Sequence, residues 1–210
     1  MKKLALGLGV VALCVAGAGV WYLQAKPATP PAEADPIMIG LLASPQQVDP
    51  MSWGLVANQL FAQGDRLRAA FCFYVFQVRT LPYIQAYAGT ERGAVLTASR
   101  NGLNQMVGAQ VNEWIATDPE AVYQLARQAI AYEATLSHDN LRPQEMPVEE
   151  WNRIVAQERA AYAASLETDL GSPDQRRALI ELRRNAGFTV GPLKDPGKPL
   201  PPEWVHPAAK

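Results

Sequence analysis

The sequence predicts an all-α protein, a bundle of about five to six helices around one central apolar helix, with a transmembrane helix in front. Apolar residues recur at helical spacing in several separate stretches, and no stretch alternates with the period of two that is typical of strands. The segment over residues 65–79 is apolar on most of its circumference. Because such a helix must be covered on several sides, we expect the other helices to surround it.

The central segment holds an unbroken run of apolar and aromatic residues from position 69 to position 76. Periodicity alone does not separate a buried helix from a buried strand in a run of this kind. The length of the whole segment, and Asp65 as an N-cap directly after Gly64, favour a helix. We expect the helix to end at Arg79, because the residue before Pro82 is biased away from the α region.

The N-terminus predicts a membrane anchor. Lys2 and Lys3 precede an apolar stretch over residues 4–23, and at ~1.5 Å per residue this stretch spans about 30 Å, the thickness of a bilayer's hydrocarbon core. Trp21 and Tyr22 lie near its end, where interfacial aromatic residues are common. The leading lysines favour a cytoplasmic N-terminus, so in a Gram-negative cell the stretch crosses the inner membrane and the domain is periplasmic.

A cleavable signal peptide is the alternative for the same segment. Its apolar region would cover residues 4–15, and residues 16–18 form a small-x-small cleavage pattern, which would leave a secreted or periplasmic protein. The apolar run nevertheless continues to Leu23, which favours the anchor. A lipid anchor on Cys14 is disfavoured, because Leu13 stands where a bacterial lipobox has Gly, Ala or Ser.

Composition divides the chain into consecutive parts. Residues 1–25 are the predicted anchor or signal, and residues 26–36 form a Pro/Ala-rich linker, extended at ~3.1 Å per residue. The helical bundle domain covers residues 37–188. Residues 189–210 form an extended Pro-rich tail, in which Trp204 belongs to a small apolar patch suited to docking on the bundle.

Capping signals set the helix ends. Asp49-Pro50, Asp118-Pro119 and Ser172-Pro173 each place a capping residue before a first-position proline. The helices are predicted over residues 50–63, 65–79, 91–107, 119–136, 147–170 and 173–186. We expect Gly108 to end the third of these, with a kink or split near Asn101-Gly102.

Residues 53–79 carry the features of a helical hairpin with a very short turn. The side chains that match a repeat pattern are Trp53, Val56, Ala57, Leu60, Gly64, Asp65 and Ala69. This segment resembles a single tetratricopeptide hairpin, and without a second copy the resemblance implies a hairpin and not a repeat array. Residues 69–79 and 111–122 also resemble parts of an uncharacterised group of bacterial all-helical envelope proteins, which implies no activity.

Composition argues against several functions. The net charge of −1 gives no basic face for nucleic acid. The two cysteines, Cys14 and Cys72, lie in separate apolar segments, and His138 and His206 are the only histidines. These residues predict no disulfide framework, no metal site and no Ser-His or Cys-His catalysis, and no glycine-rich phosphate loop is present. We therefore expect no metal, cofactor or nucleic-acid partner.

The candidate binding residues are polar side chains on or near the central helix and in the segments that come after it. They are Gln77, Arg79, Arg92, Arg100, Asn104, Asn112 and Glu113. Buried amides and arginines need hydrogen-bond partners, so we expect Gln77 and Arg79 to bond to amides that follow in the chain, such as Asn104 and Asn112, in a network that fixes how the helices dock. The polar mouth of a pocket is the alternative. The arginines at 92 and 100 would add a small basic patch for an anionic partner.

The sequence favours a membrane-tethered periplasmic module that binds a protein of the cell envelope, as an accessory, scaffold or immunity-type factor. An envelope hydrolase or transglycosylase-like enzyme is the alternative, with Glu113 as its acid if Trp114 raises the pKa of that carboxyl. A solvated or hydrogen-bonded Glu113 is the opposing interpretation. A purely structural spacer is a third hypothesis.

Overall fold

The computed structural model describes residue 41 and residues 43–205, and this part of the chain is helical, with no strand. The predicted all-α class is confirmed. The helices are α1 (Pro50–Ala62), α2 (Arg66–Ala86), α3 (Glu91–Leu103), α4 (Ala109–Ile115), α5 (Pro119–Ala134), α6 (Val148–Leu170), α7 (Pro173–Asn185) and α8 (Pro202–Val205). A π-helical segment, Asn104–Gly108, joins α3 to α4, and 3₁₀ turns cover Pro45–Gln47 and Asp139–Leu141.

The predicted anchor over residues 4–23 and the linker over residues 26–36 lie outside the described residues. Within the part that the structure describes, no helix combines the length and the apolar character needed to cross a bilayer.

Helix α2 is the centre of the bundle. Phe71, Cys72, Val75 and Phe76 are completely inaccessible to solvent, and α2 packs against α1, α3, α4, α5 and α6. Gly64 adopts φ +81°, which permits the abrupt turn between α1 and α2. The sequence-based prediction of a central apolar helix is therefore confirmed.

The predicted end of the central helix at Arg79 was wrong. Helix α2 continues to Ala86 with Pro82 inside it. The ring of Tyr83 packs in a second apolar cluster with Leu141 and Trp151. The proline removes one backbone donor near the end of the helix, while Pro82 and Tyr83 are both buried, which favours continuation of the helix.

The predicted stop at Gly108 was also wrong. The chain passes from α3 through the π-helical segment into α4 without a loop. A Cβ at Gly108 would lie 2.9 Å from Cζ of Phe73, so this glycine allows close packing on α2. The predicted kink or split at Asn101-Gly102 is not found at those residues, which are α-helical; the departure from α-helical geometry begins at Asn104.

The helix caps largely follow the sequence. Asp49 accepts a bond from the Met51 amide at 2.8 Å, and Ser172 with Gln175 forms a complete capping box. Asp65 is the exception, because its Oδ1 accepts from the Lys198 amide at 3.0 Å and caps no amide of α2.

The tail crosses the start of α2. The Leu67 amide donates to the Pro196 carbonyl at 2.8 Å, and Arg68 Nε donates to the Pro199 carbonyl at 2.8 Å. Gly197 adopts φ +79°, and a Cβ there would lie 2.6 Å from Cα of Asp65. Only a glycine permits so close an approach. The described part of the tail reaches α8, where Trp204 is 1% exposed.

Candidate functional site

An open polar cleft of about 660 Å³ lies between the start of the bundle and the loop that joins α5 to α6. Its lining combines two cations, two carboxylates, amides and tyrosine rings. The lining residues are Gln47, Asp49, Tyr83, Tyr87, Arg92, Asn140, Leu141, Arg142, Pro143, Gln144 and Glu145. The cleft therefore offers hydrogen-bond donors and acceptors of both charges beside two aromatic rings.

Arg92 occupies a fixed position in this cleft. Its guanidinium lies 4.2 Å from the centre of the Tyr87 ring, and its Nη2 donates to the Tyr83 hydroxyl at 2.6 Å. The hydrogen bond to Tyr83 raises the pKa of Arg92, so the group stays cationic. An exposed arginine whose side chain is already ordered loses little conformational freedom when it binds an acceptor.

A buried ionic cluster forms around Glu133, and we call it the Glu133 cluster. Glu133 on α5 is completely buried and contacts Arg159 Nε at 2.9 Å, Arg79 Nη1 at 3.6 Å and the His138 ring. Burial raises the pKa of Glu133, but the bond to His138 and the charges of His138 and Arg159 outweigh it. The net effect is a pKa below the ordinary value, so Glu133 is ionised at neutral pH.

The Glu133 cluster holds both walls of the cleft. Arg79 Nη2 donates to the Gln46 carbonyl and to the Ser137 carbonyl, each at 2.9 Å. Gln46 precedes the cleft residue Gln47, and Ser137 begins the loop that supplies the opposite wall. One buried guanidinium therefore fixes two segments that are distant in sequence, and the cleft is preorganised.

Three of the predicted site residues meet in a second network, at the junction of α2 with α3. Gln77 donates to the Asn104 side chain and accepts from Arg100 Nη2 at 2.5 Å. Arg100 Nε donates to the Thr80 hydroxyl at 3.0 Å. These bonds connect α2, α3 and the π-helical segment. The contact between Gln77 and Asn104 belongs to the predicted network, but Arg79 lies outside it, and Arg100, which was expected in a basic patch with Arg92, is part of it.

The remaining predicted residues lie apart from both networks. Asn112 is half-buried on α4. The Glu113 side chain is 61% exposed, lies 3.4 Å from Arg183 Nη2 and does not line the cleft. Glu113 is therefore a solvated carboxylate near an arginine, which agrees with the interpretation that opposed a catalytic role.

Other reactive groups offer little chemistry. Cys72 is fully buried, and burial raises the pKa of its thiol, which leaves the group as a small hydrophobe. No group of three or more His, Cys, Asp or Glu side chains that could hold a metal ion occurs among the described residues.

The sequence-based search missed Glu133, His138 and Arg159, although a signal was present. Glu133 follows Ala129 by four positions and precedes Leu136 by three, so it falls on the apolar stripe of its own helix. A charged residue at such a position must be paired when it is buried. Arg142 and the tyrosines of the cleft gave no comparable signal, because only the tertiary fold brings them together.

Comparison with known proteins finds no matching family model, and no significant match among curated proteins or solved structures.

Proposed function

We propose that this chain is a membrane-tethered helical interaction module of the cell envelope, and that it binds a polar segment of a protein partner in the cleft. The preorganised cleft carries this proposal. Its walls are fixed by Arg79, its cation Arg92 is ordered by two tyrosines, and carboxylates at Asp49 and Glu145 supply the opposite charge. Rigid, mixed-charge surfaces of this kind give specificity in recognition.

The chemistry available at the cleft is recognition. Arg92 and Arg142 present donors to carboxylates of the partner, while Asp49 and Glu145 accept from its cations or amides. Tyr87 adds a flat aromatic surface beside the charge. The exposed position of Glu113, outside the cleft, gives no support to the hydrolase hypothesis.

Photocrosslinking tests the cleft directly. We expect p-benzoylphenylalanine at position 144, which is exposed in the cleft, to give a discrete covalent adduct in intact cells. The same probe at Leu182, which is 55% exposed on α7, should not give that adduct. Arg92→Ala should lower the adduct yield at limiting partner by about fivefold or more, because an interface arginine of this kind contributes more than about 1 kcal/mol.

Two results would contradict the cleft as the binding site. One is an adduct of equal yield from positions 144 and 182. The other is an adduct from position 144 whose yield is unchanged by Arg92→Ala in a protein with unaltered circular dichroism.

The location is tested by topology reporters fused after residue 36. We expect alkaline phosphatase at this point to be active and β-galactosidase to be inactive, because the lysines before residues 4–23 favour export of the chain beyond that stretch. Deletion of residues 4–23 is the matched control and should reverse both activities. An active β-galactosidase fusion on the intact chain would place the domain in the cytoplasm. If the protein remains in membranes after a carbonate wash, the N-terminal stretch is an anchor, and if the wash releases the protein, the stretch is a cleaved signal.

A further inference from the structure

The tail lies on the bundle as an extended peptide lies on a protein that binds it. Among its described residues, 189–205, Trp204 is the only one that is buried, and most of the others are exposed. Leu193 and Leu200 are half-buried against the core. The tail is therefore attached through one anchoring side chain and through its backbone, as proline-rich and strand-like peptides are in complexes.

The bundle supplies the groups that hold the backbone of the tail. Trp114 Nε1 donates to a tail carbonyl at 2.7 Å. Arg68 Nε and the Leu67 amide each donate to a further tail carbonyl at 2.8 Å. Asp65 stands where a residue ordinarily caps the helix, yet its Oδ1 accepts from the Lys198 amide at 3.0 Å. The carboxylate thus binds the tail and not the amides of α2.

The anchor of the tail fits a socket that the bundle builds. Trp53, Phe71 and Tyr132, from α1, α2 and α5, surround the Trp204 indole with ring centres 4.8 to 6.4 Å away. We call these three rings the aromatic socket. Tyr132 also packs on each of the other two, so the walls of the socket contact one another directly. A buried aromatic anchor with exposed contacts around it is the arrangement that dominates affinity at interfaces.

The connection between α7 and the tail allows the tail to change direction. Gly187 has φ +78° and Gly191 has φ +148°, and both lie before the tail begins to follow the bundle. The first backbone hydrogen bond from the tail to the bundle is the bond from the Gly191 amide to the Thr117 carbonyl, at 2.8 Å. Because glycine adopts many backbone conformations, rotation at these two positions releases the tail without a change in the helices.

We propose that residues 65–68, Trp114 and the aromatic socket form a binding site for a proline-rich peptide with a tryptophan anchor. The ligand is the tail of a second copy of this chain, and two copies exchange their tails. A ligand of this site needs a glycine where it passes Asp65, because a Cβ there would lie 2.6 Å from Cα of that residue. It also needs a tryptophan seven positions later, and the tail has both.

The exchange is separate from the proposed function, because none of these residues lines the cleft. The chain's own tail competes with the tail of the second copy, since its short connection to α7 gives it a high effective concentration at the site. A substitution that prevents docking of the tail therefore has opposite effects in the two copies. It prevents exchange in the copy that supplies the tail, and it removes the competitor in the copy that accepts the tail.

Photocrosslinking between two differently tagged full-length copies in the same cells tests the exchange. The donor copy carries p-benzoylphenylalanine at the exposed position 203, next to the anchor, and the other copy is the acceptor. We expect an adduct that carries both tags. Gly197→Ala in the donor should abolish this adduct, because the new Cβ would collide with Asp65. Gly197→Ala in the acceptor should increase the adduct several-fold. Lys194→Ala keeps the carbonyl that binds Trp114, so it should change neither yield.

Trp204→Ala removes the anchor and should give the same pair of opposite effects. Gly197→Ala leaves every core side chain in place, so it decides the matter if Trp204→Ala destabilises the accepting bundle. Three outcomes would overturn the exchange. One is the absence of a doubly tagged adduct even with Gly197→Ala in the acceptor. Another is an effect of Gly197→Ala that has the same sign in donor and acceptor. The third is an adduct from position 203 with a different protein and none with the second copy.

Discussion

Glu133→Gln should lower the free energy of unfolding by about 3–5 kcal/mol, the range measured when one partner of a buried ion pair is removed. The amide retains the shape of the side chain but carries no charge. Arg79 and Arg159 then keep their positive charges without a counter-ion, and Arg79 is completely buried. Chemical denaturation of the two proteins at pH 7 measures the difference.

The same substitution should change how stability depends on pH. The pKa of Glu133 is lower in the folded protein than its ordinary value, so the unfolded chain takes up this proton first as the pH falls. The stability that Glu133 contributes is therefore complete above the ordinary glutamate pKa, about 4.3, and is lost as the pH falls through the folded value. We expect the difference between wild type and Glu133→Gln to shrink below pH ~4.3.

Glu150→Gln is the matched control for both measurements. Glu150 is exposed in the first turn of α6, so its replacement should change stability by less than about 0.5 kcal/mol. A loss in Glu133→Gln as small as that of the control would show that the buried ionic cluster does not stabilise the fold. A difference that stays constant down to pH ~3 would show that the pKa of Glu133 is not depressed.

Much of the fold follows from local sequence. Prolines after capping residues fix the starts of α1, α5 and α7, because they act through backbone groups that are unsatisfied at any helix start. The unbroken apolar run identifies α2 as the central helix, because a helix that is apolar on most of its circumference is stable only when other helices cover it. These are local effects, and a single sequence contains them in full.

The errors arose where tertiary contacts reverse a local preference. A proline inside a helix usually ends or kinks it. At Pro82 the chain nevertheless stays helical, because Tyr83 is buried against Leu141 and Trp151. Gly108 follows an apolar helical stretch, which is the pattern of a helix end, but here its lack of a side chain lets the ring of Phe73 pack closely against the backbone. The residues that make these contacts are distant in sequence from Tyr83 and Gly108, so local sequence patterns do not reveal them.

The candidate sites also contain a part that follows from local sequence and a part that depends on tertiary contacts. A contact between Gln77 and Asn104 was predictable, because buried amides must find partners. The place of Arg100 beside Gln77 was not, because the sequence indicated a basic patch with Arg92. The partner of Arg79 was not the predicted amides but Glu133, more than fifty positions away. The cleft depends on a loop with no periodicity, so its lining could only be found in the folded chain.

Trp204→Ala should lower the free energy of unfolding by about 3–5 kcal/mol, as is typical when a buried tryptophan is truncated to alanine. The indole stacks on Phe71 with ring centres 4.8 Å apart and planes within 8°, and it also packs on Trp53 and Tyr132. Trp204 thus closes the core over the most buried face of α2. Urea denaturation monitored by circular dichroism measures the loss.

The position of Trp204 in the tail predicts a second, local consequence. The tail's bond from the Leu67 amide to the Pro196 carbonyl exists only while the tail is docked. Hydrogen exchange at Leu67 should therefore accelerate more in Trp204→Ala than exchange at the centre of α2, since a locally released segment opens below the global unfolding free energy. Glu203→Gln, at an exposed position of α8, is the control and should leave both rates unchanged. Equal acceleration at Leu67 and at Val75 would mean that the tail and the bundle unfold as one unit, and an unchanged stability would mean that the indole contributes nothing to the core.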